Sequence, residues 1–134
     1  MNPTTRRQLN DLNRRFYRER AEEFGATRQH PWPGWKQALR FGAPSPAETP
    51  CRVLDVGCGN GRFARFLLED RPVGRIEYTG LDQSQELLSL AREQCKADKG
   101  DRLDWLEGNI FSPDAGGPLP DTKYDLVVAF GMLH

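Results

Sequence analysis

The sequence predicts an α/β chain: an open parallel sheet with right-handed crossovers, preceded by a helical N-terminal segment. Three observations carry this expectation. Short apolar runs, "CRVLDVG", "RIEYTGLD", "RLDWLEG" and "YDLVVAF", recur after residue 50. Segments with helical apolar spacing separate the first three runs. A glycine-dense turn, Gly57, Gly59 and Gly61, sits directly after the first run, where a strand hands over to a helix. The order strand, helix, strand, helix, strand, loop, strand is that of successive βαβ units.

The N-terminal elements come first. Thr5 and Gln8 have the spacing of a capping box, with Thr5 as N-cap. Leu9, Leu12 and Phe16 follow at helical spacing, with Tyr17 and Phe24 on or near that face, and the pattern fades at Gly25. Pro31 and Pro33 in "ATRQHPWPGW" interrupt regular helix. A second short helix is expected over roughly 34–41, and "GAPSPAETP", residues 42–50, reads as a linker with three prolines and no periodicity. The expected organisation is a helical lid over 1–41, this linker, and a sheet-based domain over 51–134.

Within that domain "CRVLDVG" is a short buried strand. Phe63, Phe66 and Leu67 mark a helix between Gly61 and Asp70, and "RIEYTGLD" is the second strand. Ser84 is placed to cap the next helix, whose apolar face holds Leu87, Leu88, Ala91 and Cys95. "RLDWLEG" is the third strand and "SPDAGGPLPDTK" a loop. "YDLVVAF" is nearly all apolar beyond Asp125, as expected of a strand covered on both faces. The sequence ends at "FGMLH", just after this strand. The expectation is a truncated chain, or one whose partner covers Leu126–Phe130, because an apolar edge strand otherwise invites unwanted pairing.

Composition narrows the class. The 134 residues suit one modest core, and no apolar run is long enough to cross a bilayer. The opening "MNPTTRRQLNDLNRRF" lacks a signal-peptide core. Cys51, Cys58 and Cys95 are odd in number and lack metal-ligand spacing, which argues against a disulfide framework and a zinc site; a cytoplasmic setting is expected. The net charge is zero, but residues 1–40 carry nine basic against four acidic groups, leaving +5 there. That excess fits a solvated helix face or an anionic partner such as RNA.

The glycine turn and its acids point to a ligand. Glycine admits positive φ and close approach of backbone to a bound molecule. In open α/β sheets ligands bind at the carboxyl ends of the strands. Asp82 ends the second strand 21 positions after Gly61, the separation at which a carboxylate takes ribose hydroxyls. The dinucleotide fingerprint is G-x-G-x-x-G facing a pyrophosphate. Here the spacing is G-x-G-x-G, and Asp55 immediately upstream suits an ammonium rather than a phosphate. A ribose-containing, amino-bearing, phosphate-free ligand is S-adenosylmethionine.

Taken together, "VLDVGCGNGRF", "GLDQS" and "YDLVVAFGMLH" resemble the class I S-adenosylmethionine-dependent methyltransferases over most of residues 51–134. The resemblance implies a Rossmann-like sheet of seven strands in order 3-2-1-4-5-7-6, of which this sequence supplies the first four. It implies that Asp55, Gly57, Gly59 and Gly61 line the methionine end of the cofactor, with Cys58 and Asn60 of the same loop also among the cofactor-binding residues. Asp82 would take the ribose, Gln83 would lie beside the adenine, and Asn109 would accept from the adenine amino group in place of the family's frequent acid. Ile110 would pack on the ring, and Phe130 would sit near the sulfonium. Gly131 and His134 fall where the family often places substrate-facing groups, His134 being a weak candidate for substrate contact.

"ATRQHPWPGW" also resembles the T-R-x-x-P-W-P stretch of methyltransferases that modify carboxymethyl-uridine at the tRNA wobble position. That resemblance implies that Arg28 pairs with the cofactor carboxylate, with Tyr17 close by and Trp32 and Trp35 closing a lid. The alternative is that the tryptophans pack the N-terminal helix on the sheet.

Each residue also has a plainer explanation. The glycines can serve packing alone, Asp82 can cap the following helix, Cys58 can be a small packing residue, and His30 before a proline can be structural. Methyl transfer from a sulfonium is an in-line displacement that needs alignment more than a dedicated base, so no catalytic residue and no metal are nominated. The leading expectation is a methyltransferase acting on tRNA or a small molecule. The rivals are a non-catalytic cofactor-binding or partner-stabilising module and a nicotinamide-dependent oxidoreductase.

Overall fold

The computed structural model describes residues 2–27, 32–42, 49–108 and 123–130, with backbone alone at 17, 21–27 and 41–42. The elements run α1 (Pro3–Thr27), α2 (Gly34–Gly42), β1 (Cys51–Val56), α3 (Arg62–Asp70), β2 (Ile76–Asp82), α4 (Gln85–Gln94), β3 (Arg102–Glu107) and β4 (Leu126–Val128). All strand pairs are parallel, and the sheet order is β3-β2-β1-β4.

This order follows from the connections. Two successive right-handed crossovers step from β1 to β2 to β3 in one direction, which puts α3 and α4 on the same face. The sheet then reverses, and β4 pairs with the opposite side of β1, in register Val53↔Leu126 to Asp55↔Val128. The switch point therefore lies between β1 and β4, at their carboxyl ends.

Alternation along the strands separates two faces. Cys51, Val53, Ile76 and Tyr78 belong to the main core with Trp35, Phe63, Phe66, Leu67 and Leu88, and Leu103, Trp105, Leu126 and Val128 pack against it. Leu54, Val56 and Leu81 form a smaller cluster on the other face with Leu106 and Tyr124. The expectation that β4 is covered on both faces does not hold among the described residues. Val127, in register with Leu54 on the face of the smaller cluster, is 60% exposed.

Most element ends match the expected ones closely. Ser84 caps α4 as its spacing implies, its Oγ accepting from the Leu87 N–H at 3.2 Å. The start of α1 differs. Asn2, not Thr5, is the cap, its Oδ1 accepting from the Thr5 N–H at 2.7 Å, and Pro3 opens the helix. Proline suits that first position because its missing N–H would have no intrahelical partner there. The apolar stripe of α1 also differs from a buried face, since Leu9, Leu12 and Phe16 are exposed. α1 rests on α4 instead, with Arg18 paired to Glu86 at 3.6 Å.

Trp35, in the first turn of α2, is buried, its ring 5.1 Å from that of Phe63 and 5.5 Å from that of Phe66. Trp32 is 53% exposed. Of the two tryptophans, Trp35 is core and Trp32 lies at the surface.

At the opposite, amino-terminal end of the sheet, Arg71 and Asp101 form a brace. Arg71 closes α3 in the left-handed region at φ 51. Its guanidinium donates to Asp101 at 2.8 Å and to Asp98 at 2.7 Å, and Asp101 also accepts from the Ile76 N–H at 2.9 Å. The brace ties the chain entering β3 to the start of β2.

Candidate functional site

The carboxyl ends of β1 and β2 place Asp55, the loop 57–61 and Asp82 together. The loop is fastened to β2: Leu81 O accepts from the Gly57 N–H at 2.7 Å and the Cys58 N–H at 3.1 Å. Gly57, Gly59 and Gly61 all have positive φ, at 74°, 58° and 81°. Residues with a Cβ rarely tolerate that region.

The glycines nevertheless do different work. A Cβ on Gly61 would lie 2.8 Å from Cys95 Sγ, 3.0 Å from Ala91 Cβ and 3.1 Å from the Trp105 ring. Gly61 therefore allows the start of α3 to pack on α4 and β3. A Cβ on Gly59 would meet nothing within 4 Å. Open space over a left-handed glycine at the switch point is where a ligand can approach the backbone.

Asp82 links the loop to β2. Its Oδ2 accepts from the Gly59 N–H at 2.9 Å and its Oδ1 from the Ser84 N–H at 2.8 Å. A carboxylate offers about four lone-pair sites, so each oxygen retains acceptor capacity for a ligand hydroxyl. Burial pushes the Asp82 carboxyl above its ordinary range, and the N–H groups of Ser84, Gly59 and Gln83 oppose this.

Asp55 is 2% exposed, and its Oδ2 accepts from the Tyr78 hydroxyl at 2.6 Å. Burial raises its pKa to about 7; the Tyr78 bond lowers it and the charge of Asp82 raises it. Two carboxylates at neighbouring strand ends repel a phosphate and favour a cation. Cys58 lies in the loop, and its thiol is pushed well up by burial and by Asp55 and Asp82, so it remains neutral. Thiolate chemistry needs the reverse shift. Asn60 is buried, and Gln83 follows Asp82 at half-burial.

Phe130 lies in the turn just beyond β4. Its ring stacks on Phe63 at 4.9 Å and 22°, and Trp35 is 5.5 Å away. Phe63 follows Gly61 by two residues, so this ring contact borders the glycine loop. Arg28, Asn109, Ile110, Gly131 and His134 lie outside the described residues, as does the Tyr17 side chain. Two residues that sequence reasoning passed over are Tyr78 and Asp101. A tyrosine inside a buried strand is itself a signal, because its hydroxyl requires a partner.

Open backbone over Gly59, spare acceptor capacity on Asp82 and a buried carboxyl at Asp55 fit a ligand with a sugar diol and an ammonium. The profile of the methyltransferase domain family matches residues 54–134. The chain belongs to the S-adenosylmethionine-dependent methyltransferases. S-adenosylmethionine is the methyl donor of this family, and the donor set above fits it.

Relatives of this methyltransferase chain agree. It is 41% identical over 87 residues to the malonyl-[acyl-carrier protein] O-methyltransferase of Pectobacterium atrosepticum, covering 65% of this chain and 29% of that one. It is 37% identical over 92 residues to the trans-aconitate 2-methyltransferase of Streptomyces avermitilis, covering 68% and 32%. The chain thus spans about a third of the length of these curated relatives. Among solved structures, a Haloferax volcanii protein in complex with the Trm112 methyltransferase activator superposes with a TM-score of 0.51 at 27% identity, covering 83% of this chain and 42% of that one. The four-stranded order observed here is the first part of the Rossmann-like methyltransferase sheet. Among the described residues no helix is long and apolar enough to cross a membrane, and no cluster of His, Cys, Asp and Glu could hold a metal.

Proposed function

We propose that this chain forms the cofactor-holding part of a methyltransferase that acts on a small-molecule acceptor. One observation carries the reading: Asp82 holds the glycine loop through the Gly59 N–H while keeping acceptor capacity, beside open space over Gly59. S-adenosylmethionine supplies an electrophilic methyl group when bound. The chain's own residues bind and orient. Asp82 takes the ribose hydroxyls, Gln83 lies beside the adenine, and the backbone of Gly57–Gly61 passes under the amino-acid end with Cys58 and Asn60 as buried loop supports. Asp55 holds the ammonium through short-range charge. Phe130 flanks the transfer path. The family resemblance assigns Asn109 and Ile110 to the adenine and Arg28 and Tyr17 to the carboxylate end of the cofactor. Alignment of acceptor, methyl and sulfur lowers the barrier without a dedicated base.

A small-molecule acceptor is favoured because curated relatives at 37–41% identity are named for malonyl-acyl carrier protein and trans-aconitate. A tRNA acceptor is the second reading, supported by the T-R-x-x-P-W-P stretch and the basic residues 1–40. A protein partner covering β4 fits the 60% exposure of Val127 and the complex formed by the Haloferax volcanii relative.

Titration calorimetry of the folded chain with S-adenosylhomocysteine and with NAD tests the reading. Binding of the former alone is expected. Absence of binding by well-folded protein sinks the reading, and binding without methyl transfer to small acids or tRNA favours a non-catalytic cofactor-binding module.

A further inference from the structure

Tyr78 stands in the middle of β2, fully buried, two residues before Gly80. Gly80 is the register partner of Asp55. The phenol therefore lies one step back along the strand, on the face that carries the Asp55 side chain, and its hydroxyl donates to Oδ2 at 2.6 Å. That length is typical of a charge-assisted O–H···O⁻ bond. The tyrosine ring is itself held by Trp105, with centroids 5.2 Å apart. Trp105 and Cys58 also fill the space over Gly80, where a Cβ would lie 2.8 Å from each. The carboxylate and its donor are thus gripped from two strands and the glycine loop.

The groups acting on Asp55 are Tyr78 and Asp82 of β2. Cys58 of the loop and Cys95 after α4 act with Asp55 on the Tyr78 hydroxyl. On α3, Arg65 and Glu69 act on Cys95, as does Lys96 beyond α4. Among the described residues no cation acts on Asp55 directly, and the Tyr78 hydroxyl is a polar contact that supports an anion there.

We propose that Tyr78 is a positioning residue for cofactor capture: its hydroxyl fixes the Asp55 carboxylate and favours its charged form beneath the glycine loop, ready for the cofactor's ammonium. The proposal rests on the methyltransferase reading above. Tyr78 remains a donor across the physiological range, because burial and the Asp55 charge push its own ionisation well up. Asp55 titrates near neutrality, since burial raises it to about 7 against the Tyr78 bond. Cofactor affinity then rises with pH through neutrality, and loss of the hydroxyl moves that rise upward.

The test uses the full chain and two readouts. The first is the ¹³C carboxyl titration of Asp55 without ligand, assigned by its loss in Asp55→Asn. The second is calorimetric affinity for S-adenosylhomocysteine between pH 6 and pH 8.5. In Tyr78→Phe the carboxyl midpoint should move up by about one unit. Affinity should fall about fivefold at pH 7 and recover to within about twofold at pH 8.5. An unmoved midpoint, or an affinity loss of equal size at every pH, assigns Tyr78 to packing and overturns the proposal. If Tyr78→Phe does not fold, the wild type still decides: its affinity must rise through the Asp55 midpoint, and a flat profile overturns the proposal. Wild type that folds but binds at no pH overturns the methyltransferase reading as well.

Discussion

The Gly59 N–H donates to Asp82 Oδ2 at 2.9 Å, across 23 residues of sequence. The acid at the end of β2 is therefore part of the glycine loop's support before any ligand arrives. Asp82→Ala removes this support together with an acceptor for two hydroxyls. Affinity for S-adenosylhomocysteine should fall by about 1–3 kcal/mol, and amide exchange at Gly59 should quicken. Calorimetry and hydrogen exchange read the two effects separately. Unchanged affinity would refute the ribose assignment.

The two glycines that bracket Asn60 should respond differently to substitution. Gly61→Ala forces a Cβ to 2.8 Å from Cys95 Sγ at φ 81, so the expected loss is in stability, about 1–3 kcal/mol. Gly59→Val carries a backbone penalty of about 1–2 kcal/mol, but its Cβ meets no neighbour within 4 Å. Its main expected effect is loss of cofactor binding. Melting curves and calorimetry on both variants check this, and wild-type affinity in Gly59→Val would show that the ligand does not cross that residue.

Asp55 should make the ligand-free protein less stable as pH rises. Its folded value of about 7 lies above its ordinary 3.8, mainly because it is buried. Between those values the folded state holds a proton that the unfolded state releases, so stability falls as pH rises through this window and then levels off. Asp55→Asn keeps an acceptor for Tyr78 and removes the charge. It should raise the melting temperature at pH 8, make little difference at pH 4, and weaken cofactor binding. A gain that is equal at both pH values would contradict the buried-charge account.

Asp101 has the opposite sign. Burial alone would raise its pKa, but bonds from Arg71, Ile76 and Asp98 outweigh it and leave the value below the ordinary range. The stability it contributes is present above its unfolded pKa and is lost as pH falls through the lower folded value. Asp101→Ala strands the Ile76 N–H and should cost about 1–3 kcal/mol, read by denaturant unfolding at pH 7. Cofactor affinity should be unaffected, because the brace lies at the other end of the sheet.

Much of the frame was legible in the sequence. The runs "CRVLDV" and "IEYTGLD" are strands because short apolar runs bounded by turn residues have few other ways to be buried. Ser84 announces α4 because its hydroxyl satisfies a helix N–H. Asp55, Gly57, Gly59, Gly61 and Asp82 stood out because their spacing is local to one βαβ unit. The start of α1 was misplaced because a capping-box pattern at Thr5 competed with Asn2 followed by Pro3, where Asn2 accepts from the Thr5 N–H and the proline suits the first helical position.

By itself the sequence determined the βαβ succession, the glycine loop and the acid that follows it. These depend on periodicity, turn chemistry and short separations, which a linear reading can follow. Only the tertiary structure decided which glycine packs and which faces open space. It alone joined Tyr78 to Asp55 and Arg71 to Asp101, and left Leu9, Leu12 and Phe16 exposed. Those outcomes depend on which strand neighbours which and on which face a side chain leaves the sheet. Contacts between residues 20 or more positions apart become specific only once the strand order β3-β2-β1-β4 has formed.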